Sequence, residues 1–361
     1  MRKRRTWMRM YAGNHNRTHD LAGRATPSTM IHIIMVTNSL YWPLVHNAII
    51  HYAQLPAAST APGLVLQLHA HGLDDGAHAS CINLTLGHRG AAAMVECVRA
   101  HGCCDGYANR EQMKEIVLMY KMRAVEAWLT LNAEPVVLLD ADSLVLTREC
   151  FRQWVQVPSH VVAQFGGCPL CTPHQCSVLG SSFNTGVALF RTAAVAILRR
   201  VLSRYDRWLS TNRSHTQSPF HHHCYDQELF NDELIRQSPR WLDFGKLLTV
   251  QVHLNPSHVH LNLTILKFSN WPVEGGTAYV QTDRGNNGGQ VPGSYGKLHV
   301  FKKRRSSTLP GTQGVPALNK TCIVHLAGAS DRFTPWMKRG LWHLPIPRPP
   351  PSGAPSPQPV R

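Results

Sequence analysis

The run Pro135-Val-Val-Leu-Leu-Asp140 constrains the fold more than any other stretch of the chain. Four consecutive apolar residues between a proline and an aspartate show no polar alternation and are too few for a buried helix. Such a run reads as a strand buried on both faces, which requires helices above and below the sheet that contains it. Around it the pattern repeats. Apolar, largely β-branched runs at 31–37, 63–69, 161–165 and 183–190 alternate with helical patterns at about 43–54, 75–84, 110–132 and 193–209. In the third of these helices Met119, Met122, Val125, Trp128 and Leu129 recur on one face. The alternation predicts an α/β fold, a mostly parallel central sheet flanked by helices on both faces. A further helix is expected over 226–235 and a last short strand over 321–326.

With 361 residues and a hydrophobic fraction of 43%, the chain can bury a substantial core. Residues 1–28 are basic and polar and are expected to be a disordered leader. The folded unit is expected over 29–344. Within it, 270–320 is rich in Gly, Ser and Asn and reads as a long loop or insertion, and 345–361 is a proline-rich extended tail. The net charge of +16 favours anionic partners, but much of it sits in Met1-Arg-Lys-Arg-Arg5, in Lys302-Lys-Arg-Arg305 and in the tail. No zinc-finger, RNA-recognition or KH pattern is present, so a nucleic-acid partner is not expected.

Ten cysteines leave the compartment open. Cys168-x-x-Cys171-x4-Cys176 with His174 crowds its ligands too closely for an ordinary structural zinc site, so disulfides or free thiols in a surface loop are the better reading. Sequons at Asn16, Asn83, Asn212, Asn262 and Asn319 exceed the roughly two expected by chance and point to a secretory-pathway lumen. The stretch from Met30 to Ile50 carries Asn38, Ser39, Pro43, His46 and Asn47, too polar for a spanning helix. No signal or membrane anchor is evident, so either the N-terminus is incomplete or the lumen is reached by a route the sequence does not display.

The chemistry centres on Asp140-Ala-Asp142. Two carboxylates one residue apart at the end of a strand can bind a hard divalent ion, and that ion can offset the charge of a departing diphosphate. A carboxylate at the edge of an apolar core needs a compensating cation. The C-terminal end of a parallel strand is also where open α/β sheets bind ligands. Taken alone, Asp-x-Asp is as readily a turn with an Asx cap.

Three downstream segments change that balance. The stretch 135–146 resembles the Asp-x-Asp strand of GT-A glycosyltransferases. Phe183-Asn184-Thr185-Gly186-Val187 resembles the Asn-(Ser/Thr/Ala)-Gly strand of glycogenin-like family-8 transferases and of the nucleotide-diphospho-sugar transferase domain found in plant and algal arabinosyl- and xylosyltransferases. Asp226-Gln227-Glu-Leu-Phe-Asn231 resembles their Asp-Gln-x-x-x-Asn helix start. His325-Leu-Ala-Gly328, with Pro335-Trp336 beyond, resembles their His-x-x-Gly-x-x-Lys-Pro-Trp segment, and Gly340-Leu-Trp342 follows as in the plant and algal group. The likeness spans roughly residues 30–345, with the four segments in order. It departs in two places: where the family has Lys three residues after the glycine, this chain has Asp331 and then Arg332, and the expected membrane anchor is not evident.

The resemblance implies a GT-A, nucleotide-diphospho-sugar transferase fold. It also implies transfer of a hexose or pentose from a nucleotide sugar, UDP-linked for preference, to a hydroxyl of a glycan or protein, with retention of configuration. By the same resemblance, Asp140, Asp142 and His325 are metal ligands, and the imidazole favours Mn²⁺ over Mg²⁺. Lys121 is a donor contact. Asn184 and Gly186 line the sugar pocket, the glycine permitting close approach. Gly328 belongs to the substrate-binding set, Arg332 is the candidate to replace the missing Lys at the diphosphate, and Asp226 and Gln227 are nearest to the reacting sugar. Golgi residence follows from the family and the sequons together. Rival readings are an inactive GT-A domain that binds glycan or protein, a nucleotidyltransferase or phosphohydrolase, and a basic RNA-binding protein. The second lacks a glycine-rich phosphate loop and further clustered carboxylates. The third predicts steep loss of binding with salt.

Overall fold

The computed structural model describes residues 29–38, 41–54, 64–73, 75–87, 93–99, 110–132, 134–145, 149–165, 183–211, 225–243, 248–255, 259–266, 279–281, 323–325, 342 and 344. The central layer is a nine-stranded sheet. In chain order its strands are β1 (Thr29–Val36), β2 (Leu64–Leu73), β3 (Ala93–Arg99), β4 (Val136–Leu139), β6 (Val161–Phe165), β7 (Phe183–Phe190), β8 (Arg240–Asp243), β9 (Leu248–Leu254) and β10 (Val259–Leu266). In space they run β3-β2-β1-β4-β7-β6-β10-β9-β8. β7 and β9 run against the rest, so the sheet is mixed but mostly of one direction. A small second sheet joins β5 (Ser143–Val145), β11 (Tyr279–Gln281) and β12 (Ile323–His325) in the order β11-β12-β5.

Successive strand residues face opposite sides, and both sides are covered. Ile31, Ile33, Met35, Val137, Leu139, Val187 and Leu189 pack under α1 (Trp42–Gln54), α2 (Asp75–Gly87) and α4 (Glu149–Gln156). Ile34, Val36, Val136, Leu138, Ala188 and Phe190 pack against α3 (Arg110–Leu131), α5 (Val195–Thr211) and α6 (Tyr225–Arg236). This is why Val136–Leu139 carries no polar position: all four side chains are buried. The predicted face of α3 is buried as well, through Met119, Met122, Val125, Trp128 and Leu129.

β3, α4, β8, β9 and β10 add to the sequence-based expectation, and the three-residue β11 lies inside the stretch expected to be loop. α6 stops where Ser238 turns into the left-handed region at φ 50° and Pro239 follows, a C-terminal geometry that satisfies the last carbonyls. Cys81 of α2 and Cys97 of β3 form a disulfide. Cys168, Cys171 and Cys176 lie outside the described residues. No described helix is long and apolar enough to cross a membrane.

Candidate active site

Because β7 runs antiparallel to β4, its first residues lie at the same sheet edge as the end of β4. Leu139 pairs with Val187, and the Asp140 amide donates to the Gly186 carbonyl at 2.7 Å. On the other side of β7 the register with β6 jumps between Ala163 and Gln164, from Ala188 to Asn184. Thr185, Gly186 and Val187 therefore have no β6 partner, a bulge of the kind that re-aims side chains near sites.

Gly186 is dictated by Asp140. A β-carbon there would stand 2.0 Å from Asp140 Oδ2 and 2.6 Å from its Cγ, closer than any side chain tolerates. The space a side chain would take at this position is filled by the aspartate's own carboxylate. The Gly186 amide donates to Asn184 Oδ1 at 2.8 Å, which folds the buried Asn184 back on its strand.

Lys121, on the sheet-facing side of α3, is 3% exposed. It pairs with Asp140 and, at 3.0 Å, with Asp226 Oδ2. Burial pushes the Lys121 ammonium towards neutrality, but the two carboxylates, by charge and hydrogen bond together, more than reverse this and hold its pKa above the usual lysine value. Lys121 is thus the compensating cation that the apolar surroundings of Asp140 demand. Thr185 Oγ1 donates to the same Asp226 oxygen at 2.8 Å. α6 is fastened to β7 by Asn231, whose Oδ1 accepts from the Phe183 amide at 2.8 Å and whose Nδ2 donates to the Phe183 carbonyl at 3.0 Å and the Gln227 carbonyl at 2.7 Å. Asp226 and Gln227 lie side by side in the first turn of α6.

The structure therefore brings Lys121, Asp140, Asn184, Gly186 and Asp226 into one cluster, with Gln227 adjacent. Asp142, half-buried, follows in the turn after β4. The backbone of His325 lies opposite Ser143, the residue after Asp142. The His325 side chain lies outside the described residues, as do Gly328 and Arg332. Among the described residues no three His, Cys, Asp or Glu side chains gather as a metal-holding group. Thr185 and Asn231 are the members whose roles the sequence left unread. Their signal was position: one sits inside the Asn-x-Gly strand and the other closes the Asp-Gln-x-x-x-Asn pattern.

No protein-family profile and no curated protein sequence matches the chain. Among solved structures, it is similar to the galactosyltransferase LgtC in complex with donor and acceptor sugar analogs, at 13% identity and a TM-score of 0.45, over 86% of this chain and 93% of that one. It is also similar to mouse xyloside xylosyltransferase 1 in its apo form, at 14% identity and a TM-score of 0.39, over 58% of this chain and 83% of that one. A third is the bifunctional glycosyltransferase WbbM, at 12% identity and a TM-score of 0.42, over 85% of this chain and 47% of that one. Identities this low transfer no residue roles.

Proposed function

We propose that the chain is a metal-dependent glycosyltransferase of the GT-A type, moving a hexose or pentose from a nucleotide sugar to a hydroxyl acceptor with retention. The observation that carries this reading is the convergence of the Asp140 end of β4, the Asn184–Gly186 turn of β7 and the Asp226 start of α6 on one sheet edge. That edge is the C-terminal side of β1 and β4, where open α/β sheets receive ligands.

The residues present fit a divalent cation. Two carboxylates, Asp140 and Asp226, face one ammonium, leaving that cluster net negative, and Asp142 follows in the turn just beyond Asp140. The β12–β5 register also brings a histidine's backbone next to the carboxylate turn. Asp140, Asp142 and His325 would hold Mn²⁺, or Mg²⁺, and the ion would supply positive charge to the departing diphosphate. The chain's own residues do the positioning. Lys121 fixes the Asp140 and Asp226 carboxylates relative to each other across α3, β4 and α6. Thr185 sets the rotamer of Asp226, leaving Gln227 beside it as the adjoining polar group for the sugar hydroxyls. Gly186 keeps the Asp140 carboxylate against the sheet backbone, so its orientation does not depend on bound ligand.

The Cys81–Cys97 disulfide and the exposed Asn83 of the Asn83-Leu-Thr85 sequon support residence in an oxidising secretory lumen such as the Golgi. The test of function is a nucleotide-sugar hydrolysis screen with Mn²⁺, comparing wild type with Asp142→Ala. Turnover of one UDP-sugar that is lost in the variant is expected. Equal activity in the two would refute the metal assignment. Absence of Mn²⁺-dependent UDP binding by wild type in isothermal titration would leave only a non-catalytic binding domain.

A further inference from the structure

The hairpin of β9 and β10 has one apolar face and one polar face. Val250, Val252 and Leu254 with Leu261 and Leu263 are buried in the core. The opposite face carries a ladder of matched polar rungs: Thr249 opposite Thr264, Gln251 opposite Asn262, and His253 opposite His260. Burial of the apolar face fixes the register, since a slip of one residue would exchange the two faces. The histidines are therefore held across from each other by the core and not by their own contact.

His253 Nδ1 lies 3.1 Å from His260 Nε2 and 3.4 Å from His260 Nδ1, with ring centroids 4.3 Å apart. Two imidazole nitrogens bound at about 2.0–2.1 Å to a tetrahedral zinc stand about 3.3 Å apart, and cis ligands of a square-planar copper about 2.9 Å. The 3.1 Å separation falls inside that interval and the 3.4 Å one just beyond its upper end. His260 is exposed and His253 half-buried, so an ion can reach them with its water.

We propose that His253 and His260 form a bidentate site for a divalent transition-metal ion of the zinc and copper class. The ion takes the place of the hydrogen atom the two rings share. The donor ring moves its N–H to its remaining nitrogen and the acceptor ring already carries its own there, so binding releases no proton from neutral rings, and waters fill the other positions. The next rung, where Gln251 Nε2 donates to Asn262 Oδ1 at 3.2 Å, gives the site a polar neighbour. An all-imidazole donor pair selects zinc, copper or nickel over manganese and magnesium. The site belongs to the β10-β9-β8 end of the sheet, separated from β4 by β7 and β6, and is independent of the proposed donor site.

With 22 histidines in the chain, among them His221-His222-His223, the test must isolate the pair. Zinc is titrated by calorimetry into metal-stripped full-length protein: wild type, His260→Thr, His253→Gln, and a variant with His221, His222 and His223 replaced by serine. Melting in EDTA is followed in parallel. Either substitution in the hairpin is expected to weaken one zinc site at least tenfold and to abolish the zinc-induced rise in melting temperature, with the EDTA melting unchanged. The serine variant is expected to keep that site. Zinc binding equal to wild type in both hairpin variants, or lost only in the serine variant, overturns the proposal.

Discussion

Lys121 Nζ stands 3.0 Å from Asp226 Oδ2 and pairs at the same time with Asp140, so one buried ammonium ties α3 to the start of α6 and to the end of β4. Replacing Lys121 with methionine keeps the volume and removes the charge, leaving two carboxylates facing each other in an apolar setting. A loss of about 3–5 kcal/mol in urea unfolding is expected. Adding Asp226→Asn to Lys121→Met is expected to recover part of that loss, because one uncompensated charge is then gone. A double variant no more stable than the single one would show that Lys121 acts through packing alone.

Gly186→Ala tests the contact with Asp140. The added methyl falls within the carboxylate's own volume, so Asp140 must leave its place. A destabilisation of roughly 1–3 kcal/mol is expected from the overlap, together with at least a tenfold weakening of Mn²⁺-dependent UDP binding in calorimetry. Unchanged binding alongside lowered stability would mean that the orientation of Asp140 is irrelevant to the ligand.

Asn231 satisfies both backbone groups of Phe183 from α6. Asn231→Ala orphans a buried amide and a buried carbonyl, for an expected cost of roughly 2–4 kcal/mol. Asn231→Asp retains the acceptor for the Phe183 amide and loses the donors. Hydrogen exchange at the Phe183 amide should therefore accelerate in the alanine variant and stay slow in the aspartate variant.

His160 contributes a pH dependence with a definite sign. Its Nδ1 accepts the Asn262 amide at 2.9 Å, which requires the neutral ring, and burial together with the Arg191 guanidinium lowers its pKa below the ordinary 6.5. A histidine whose folded pKa is depressed stabilises the fold fully above its unfolded value. It loses that contribution as pH falls from about 6.5 towards the folded value. In His160→Asn the stability difference between pH 7 and pH 5, measured by urea titration, is expected to be smaller than in wild type.

Asn83 is exposed on α2, and Thr85 completes its sequon. In protein secreted from mammalian cells a glycan at this position is expected, seen as an endoglycosidase-sensitive gel shift that Thr85→Ala removes. If wild type and Thr85→Ala lose the same mass on digestion, Asn83 is unmodified.

Legibility in the sequence followed the range of the interaction. β4 was plain because two-sided burial leaves an unbroken apolar run, and the α3 face was plain because its spacing is local. β9 and β10, absent from the sequence-based expectation, alternate as strictly as β2. β3 does not: Ala93-Met-Val-Glu-Cys-Val-Arg99 is short and mixed, and its place is set by pairing with β2 and by the bond from Cys97. At the site, Asp140, Asn184 and Asp226 announced themselves by motif. That Lys121 spends its charge on two of them could not be read, because helix, strand and second helix meet only in the tertiary fold. The meaning of Gly186 was hidden for the same reason: the atom it yields to belongs to a neighbouring strand.

The Cys81–Cys97 bond also sets how the sheet can come apart. Among the described strands β3 is an edge strand, the part of any sheet first to peel away or to recruit a foreign strand. Because it is covalently tied to α2, which packs over the same end of the sheet, β3 cannot leave alone. Strand, helix and the closed loop between them must open as one cooperative unit, so fraying at this rim is raised to the cost of lifting a whole flap.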